Sequence, residues 1–324
     1  MSSSIRESAS ARTELAVAAR AARSTSLTQD AWRRLKRNKA AMVSLVYILL
    51  LAAVAILAPM LAPYGYDKVH FDAITQPPSS EYVLGTDSLG RDVLSRLMYG
   101  ARVSLSVSIV AQLVILLIGV PVGLISAFYG GWVDMVLQRL VDVLYAFPSL
   151  LFMIVIMTYL KAALRAAQGP VALLIAGLNS ASGGLMGVFI SLGLVFWLTV
   201  SRLVRGEVLS LKQKEFVEAA RSVGASSRRI IVRHLLPNVL APIVISATFG
   251  IPAAITMEAG LSFLGLGVEP PTPSWGIMIA EGVTNIRSYP HLLLASGLLL
   301  STTLLAFNFL GDGLRDALDP WMKT

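Results

Sequence analysis

Six apolar stretches punctuate an otherwise polar chain, at about 41–62, 104–127, 136–160, 186–204, 239–261 and 291–310. Each approaches the ~20 residues an α-helix needs to cross hydrocarbon, so the pattern predicts an all-α membrane protein with six transmembrane helices. A seventh apolar piece, 171–178, is too short to cross alone. The run Asn179-Ser180-Ala181-Ser182-Gly183-Gly184 separates it from the fourth span, so it is expected to be an external helix or a re-entrant piece. Residues 1–31 are rich in Ser, Ala and Arg without apolar periodicity and read as a disordered tail. Because roughly forty polar residues precede the first apolar run, that run is expected to be an anchor and not a cleaved signal. The expected units are thus the tail 1–31, a first span with its external segment (32–100), a core (101–312) with one long polar loop (206–237), and a second tail (313–324).

Composition supports this division. The 324 residues are 55% hydrophobic and only 14% charged, with a mean hydropathy of +0.70, against about 25% charged in soluble domains. There is no cysteine, which removes disulfides, thiolate metal sites and cysteine nucleophiles together. The three histidines, His70, His234 and His291, have no ligand spacing, so no metal site is expected. Of the 27 Lys and Arg residues, 20 fall on one side if the N-terminus is inside. The positive-inside rule then puts both termini and the 206–237 loop in the cytoplasm. The net charge of +8 is therefore topological, and no nucleic-acid partner is expected.

The loop carries EAARSVGASSRRIIVRHLLP, from Glu218 to Pro237. Phe216, Ala219, Ala220 and Val223 recur at i, i+3, i+4, i+7, which predicts a short helix with one apolar stripe facing away from its charged side. Gly224 stands where a left-handed residue ends such a helix. Ser226 or Ser227 can cap a second short helix, which Pro237 is expected to stop. A knob of this form suits a groove on another protein; the plainer reading is a solvated helix in which Glu218 and Arg221 pair at i, i+3. The spaced pattern Glu218, Ala219, Ala220, Gly224, Leu236, Pro237 resembles the EAA loop of ABC importer permeases. Its flanks are similar to the dipeptide, oligopeptide and nickel branch, although His234 stands where the family usually has an aliphatic residue.

Other charged segments leave alternatives open. GTDSLGRDVLSRLMYGARVSL, from Gly85 to Leu105, is a charged, turn-rich approach to the second span; it can pair its own charges, and it resembles the segment before the core span in C-type permease subunits of the same branch. Gly119 and Gly123 have the spacing for close helix approach. Arg139 and Asp142, at i, i+3 near the cytoplasmic boundary, form either a permanent packing pair or a charge cluster that shifts with gating. Pro148 should kink the third span. Glu258, a lone acid in the fifth span, either has a partner on a neighbouring helix or faces the pathway and meets polar substrate.

No G-x-x-x-x-G-K-[ST], G-x-S-x-G or H-E-x-x-H motif occurs, so catalysis in this chain is not expected. The resemblance, over roughly 32–320, implies a six-span type I importer permease of the cell (inner or plasma) membrane. It implies a homologous second permease, two ABC ATPase subunits and an extracytoplasmic substrate-binding protein as partners. This chain then carries no cofactor, ATP and magnesium belonging to the ATPases. Di- or oligopeptides are the implied cargo, with nickel chelates or oligosaccharides as alternatives. An ion-coupled secondary transporter, the reading from another class, requires mid-membrane coupling carboxylates, for which only Glu258 offers itself.

Overall fold

The computed structural model describes residues 27–166, 169, 177, 179 and 184–319; all of the segment 171–178 but residue 177, and most of the 1–31 tail, lie outside the described residues. Ten helices make up most of what is described. An amphipathic helix α1 (Leu27–Arg37) leads into α2 (Lys39–Leu61), α3 (Val93–Tyr129), α4 (Gly131–Tyr145), α5 (Ser149–Arg165) and α6 (Met186–Leu211). The knob helix α7 (Glu215–Ser222) follows, then α8 (Ser227–Phe263), the short α9 (Trp275–Thr284) and α10 (Pro290–Leu318). Five helices are long and apolar enough to cross a membrane, and α4 with α5 makes a sixth segment broken by 90°.

Several expected boundaries shift. The tail is helical from Leu27, and α10 runs through Leu318 where a tail from 313 was expected. The second span begins at Val93, not 104, because Asp92 caps it: its Oδ2 accepts from Ser95 N at 2.7 Å and Ser95 Oγ at 2.6 Å. The kink at Pro148 is a full break across Ala146, Phe147 and Pro148. Pro237 does not stop the helix. The preceding turn, Ile230–Leu235, is π-helical, which moves Pro237 into the first turn of the α-helical part, where its missing N–H costs nothing. Asn238 Nδ2 takes up the carbonyl of His234 at 2.6 Å.

Helix α3 is the mast of the fold, contributing to each of the three large buried clusters. One end packs Leu124 and Ala127 with Val204, Val208 and Val239. The middle packs Val107 and Ala111 with Leu192, Ala254 and Leu261. The other end packs Val93, Leu97 and Leu105 with Ile255, Trp275 and Leu292. Its seam with α6 is backbone-close. A Cβ added at Gly119 would lie 2.8 Å from Trp197 O, and one at Gly123 2.6 Å from Ser201 O. Opposite them, Gly193 accommodates Val114. Outside these clusters the large apolar side chains of α2, α4 and α5 face outward, among them Val43, Leu50, Ile56, Val143 and Val155, as helices solvated by lipid require.

At the far end from α7, the segment between α2 and α3 is tied down by a buried ionic cluster. Asp87 accepts from Arg91 Nε at 2.7 Å and from Arg96 Nη1. Both arginines reach Glu281 on α9, Arg91 at 3.1 Å and Arg96 through both of its terminal nitrogens. Charges of this segment pair within it, as expected, but the fourth member, Glu281, comes from a helix the sequence pattern did not predict. Removing one partner leaves a buried charge uncompensated, so Asp87→Asn should lower the unfolding free energy by roughly 3 kcal/mol. Glu281→Gln should cost less, since Glu281 is partly solvated. Denaturant unfolding of the detergent-solubilised protein measures both, and equal losses would contradict this assignment.

Candidate functional site

Two features have the form of working surfaces: the knob α7 with its turn, and an open cavity above it. The knob is built as a Schellman turn. Gly224 has φ +78°, Gly224 N donates to Arg221 O at 2.9 Å, and Ala225 N to Ala220 O at 3.0 Å. A side chain at Gly224 would meet nothing within 4 Å, so only the backbone conformation demands glycine there. Ser226 caps the next helix, accepting from Arg229 N at 3.4 Å.

The expected single stripe on α7 is split. Val217 and Ala220 are buried against Val208, Ile230 and Leu235 of the same chain. Phe216, Ala219 and Val223 are exposed, Val223 by 86%. Four apolar residues in so short a helix, with Val223 at its C-cap, occupy two faces: one anchors the knob to its own subunit and the other is left outward. Val217, Ile230 and Leu235 were missed by the sequence pattern, although Val217 and Ala220 already stand at i, i+3. Of the remaining motif residues, Leu236 is half-buried against the same cluster, while Glu218 and Pro237 are exposed. Glu218 makes no ion pair with Arg221, whose guanidinium lies over the Phe128 ring at 5.9 Å.

Beside the knob, two ion pairs join α4 to α6. Arg205 grips Asp134 with both ends of its guanidinium, at 2.7 and 2.6 Å, and Arg202 reaches Asp142 at 2.7 Å while lying 4.2 Å above the Tyr145 ring. Lys212 Nζ donates to Ala127 O at 2.8 Å, satisfying a carbonyl in the last turn of α3. The expected Arg139–Asp142 pair is not formed. Helix α4 lies along α6, so Asp142 meets a guanidinium across the seam, and Arg139 stays on the exposed side.

The cavity, of about 680 Å³, lies among α3, α6, α8 and α10, with Glu207 and Arg315 as the charged members of its lining. Its wall is mainly apolar, with Gln112, Thr199 and Ser246 as its uncharged polar members. Gln112 escaped the sequence reading because one amide in an apolar run has no distinguishing spacing. Glu258 does not line this space. It is fully buried near the other end of α8, accepting from Ser262 Oγ at 2.6 Å and Ser104 Oγ at 3.2 Å, with Ser274 on Ser262 behind it. Serines of α3 and α8 satisfy it, which is the partner-on-a-neighbouring-helix arrangement. A second space of about 250 Å³ at the α4–α5 break shares Phe196 and Thr199 with the first.

The bundle thus carries an open-sided cavity among its spans and a projecting knob outside them. The chain belongs to the family of binding-protein-dependent transport system inner membrane components, matched over residues 119–324, and its residues 26–78 match the N-terminal TM domain of oligopeptide transport permease C. It is 41% identical over 301 residues to a dipeptide transport system permease protein of Bacillus subtilis (strain 168), covering 93% of this chain and 88% of that one. It is 42% identical over 297 residues to an oligopeptide transport system permease protein of Escherichia coli (strain K12), covering 91% of each. A glutathione transport system permease protein of Pectobacterium atrosepticum is 38% identical over 297 residues, 91% of this chain and 92% of that one. Among solved structures, a chain of the inward-facing MetNI methionine ABC transporter superposes with a TM-score of 0.54 at 19% identity, covering 70% of this chain and 96% of that one. The fold is that of an ABC importer permease.

The rearranged ion pairs make a direct prediction. Charge reversal at Asp142 or Arg202 alone should lower the yield of folded protein slightly, within about 1 kcal/mol for a half-exposed pair. The double exchange Asp142→Arg with Arg202→Asp should restore it, whereas exchanging Asp142 with Arg139 should not. Thermal unfolding of the purified variants checks this; rescue by the Arg139 exchange would contradict the structure.

Proposed function

We propose that the chain is one of two permease subunits of an ATP-driven importer and forms half of the pathway for di- or oligopeptides. The observation that carries the reading is the knob. Val217 and Ala220 fix it to its own subunit, while Phe216, Ala219 and Val223 stay outward on an element outside the spans. Apolar groups presented on a rigid, glycine-ended helix are suited to a groove on a soluble partner, here the ABC ATPase. Peptide cargo is supported by relatives named for dipeptide, oligopeptide and glutathione transport. With N- and C-termini cytoplasmic, as the Lys and Arg distribution favours, the knob and the Glu207 and Arg315 end of the cavity face the ATPases. A binding protein then delivers cargo at the opposite face.

In this arrangement ATP and magnesium belong to the two ATPase subunits, and this chain supplies the lever. Closure of the ATPases would move α7, and the Val217, Leu235 and Val208 contacts pass that movement to α6 and α8, the helices that wall the cavity. The chain resides in the inner or plasma membrane with a homologous second permease completing the pathway.

Gly224→Val should be the most damaging single change in the knob, because a β-branched residue resists φ +78° by at least 1–2 kcal/mol. Glu218→Ala should loosen ATPase docking while the permease still inserts. ATPase co-purification and substrate-stimulated ATP hydrolysis in reconstituted membranes measure both; wild-type coupling in both variants would remove the lever assignment.

A further inference from the structure

Four basic side chains at the head of the first span stand without a counter-charge among the described residues. Helix α1 and the residue that opens α2 hold Arg33, Arg34, Lys36, Arg37 and Lys39. Arg34 turns inward and donates to Asp319 O at 3.1 Å. Arg33, Lys36, Arg37 and Lys39 are exposed and form no ion pair among the described residues. Arg33 stands four residues from Arg37 and three from Lys36, spacings at which like charges repel along a helix. The 26 residues before α1 hold four Arg and two Glu, so their net charge has the same sign. The helix is nonetheless held firmly in place. Leu35 is buried with Ala317 at the end of α10, and Ala31 and Leu314 pack beside them. Gly313 makes room for this corner: a Cβ there would collide with Ala41 and stand 3.2 Å from Leu35 Cδ1. Asn38 then starts α2, its Oδ1 accepting from Ala41 N at 3.1 Å.

We infer that the outward face of α1 binds the anionic headgroups of membrane phospholipids. Its geometry is that of a helix lying along the headgroup layer. At about 100° per residue, Ala31, Arg34 and Leu35 fall in one arc, the one turned to α10. Trp32, Lys36, Arg33 and Arg37 fill the opposite arc, all of them exposed. Trp32 stands at the border between the two, with Lys36 Nζ 5.1 Å from the centre of its ring. Indole rings and snorkelling basic side chains take that position where hydrocarbon gives way to headgroups. Lys39 is the first residue of a helix long and apolar enough to cross the membrane, so the basic face is held at that boundary. Lipid phosphates supply the missing counter-charge, and each Lys or Arg kept near an anionic surface strengthens the contact. One indole among cations suits a layer of phosphate charge better than the apolar groove of a soluble protein.

The test uses the full complex reconstituted in phosphatidylcholine vesicles with a trace of photoreactive phosphatidylglycerol, crosslinks being mapped to peptides by mass spectrometry. Wild-type α1 should be labelled. Unlabelled phosphatidylglycerol should suppress that labelling, whereas the same amount of phosphatidylcholine or of soluble glycerol phosphate should not. Raised salt should weaken it. Glutamine in place of Arg33, Lys36, Arg37 or Lys39 should lower labelling about fivefold per residue replaced. Arg33→Lys with Arg37→Lys, which keeps the charge, should label as wild type does. Suppression by glycerol phosphate would make this a site for free anions, and suppression by phosphatidylcholine a surface without charge recognition; either overturns the inference. So does unchanged labelling when all four residues are glutamine. Loss of the ATPase subunits from that variant with labelling intact would assign the patch to a protein partner, and overturns it too. The suppression measurements need no variant, so they decide the matter even if the fourfold variant fails to fold.

Discussion

Gly119 and Gly123 let the backbone of α3 lie against the backbone of α6, and the rest of the subunit is hung from that seam. Because α3 enters all three large buried clusters, fixing α6 against it fixes the wall of the cavity and the end from which the knob departs. Driving the two helices apart by even one methyl at either glycine would separate Val204 and Val208 from Leu124 and Ala127. The same cluster holds Val217 and Ala220 of the knob. Packing in the membrane and geometry outside it are therefore one mechanical unit.

Inside hydrocarbon a polar group must find its partner within the protein, and the subunit answers this in three knots. Asp87, Arg91, Arg96 and Glu281 close the far end, Glu258 with its serines ties α3, α8 and α9, and Asp134 with Arg205 binds α4 to α6. Each joins elements distant in sequence, and each explains why a charge in or near a span is tolerated. Gln112 and Ser201 stand apart from these knots, their side-chain polar atoms buried without a hydrogen-bond partner.

Much of this was legible in the residues. The spans, the glycine seam, the left-handed Gly224 and the spaced EAA pattern all follow from local periodicity and backbone stereochemistry, which a sequence displays directly. What escaped depends on register between helices. Asp142 has an arginine three residues away in its own helix, and nothing local reveals that Arg202 wins it. Pro237 signals a helix end, and only the π-helical turn before it lets the helix run on. The two faces of α7 are both apolar, so the choice between buried Val217 and exposed Phe216 is made by where α8 returns. Glu281 was hidden because α9 is too short to stand out from the Gly- and Pro-rich segment before it.

The central claim is that one face of the knob belongs to this subunit and the other to a partner. The chain contains no cysteine, so a single Val223→Cys substitution reports on the outward face alone. Maleimide labelling should be rapid in the isolated permease pair, where Val223 is exposed, and strongly suppressed once the ATPase subunits are bound. Ser79→Cys, on the exposed segment between α2 and α3, should label at the same rate in both states. Equal labelling of the Val223 position with and without the ATPases would contradict the account.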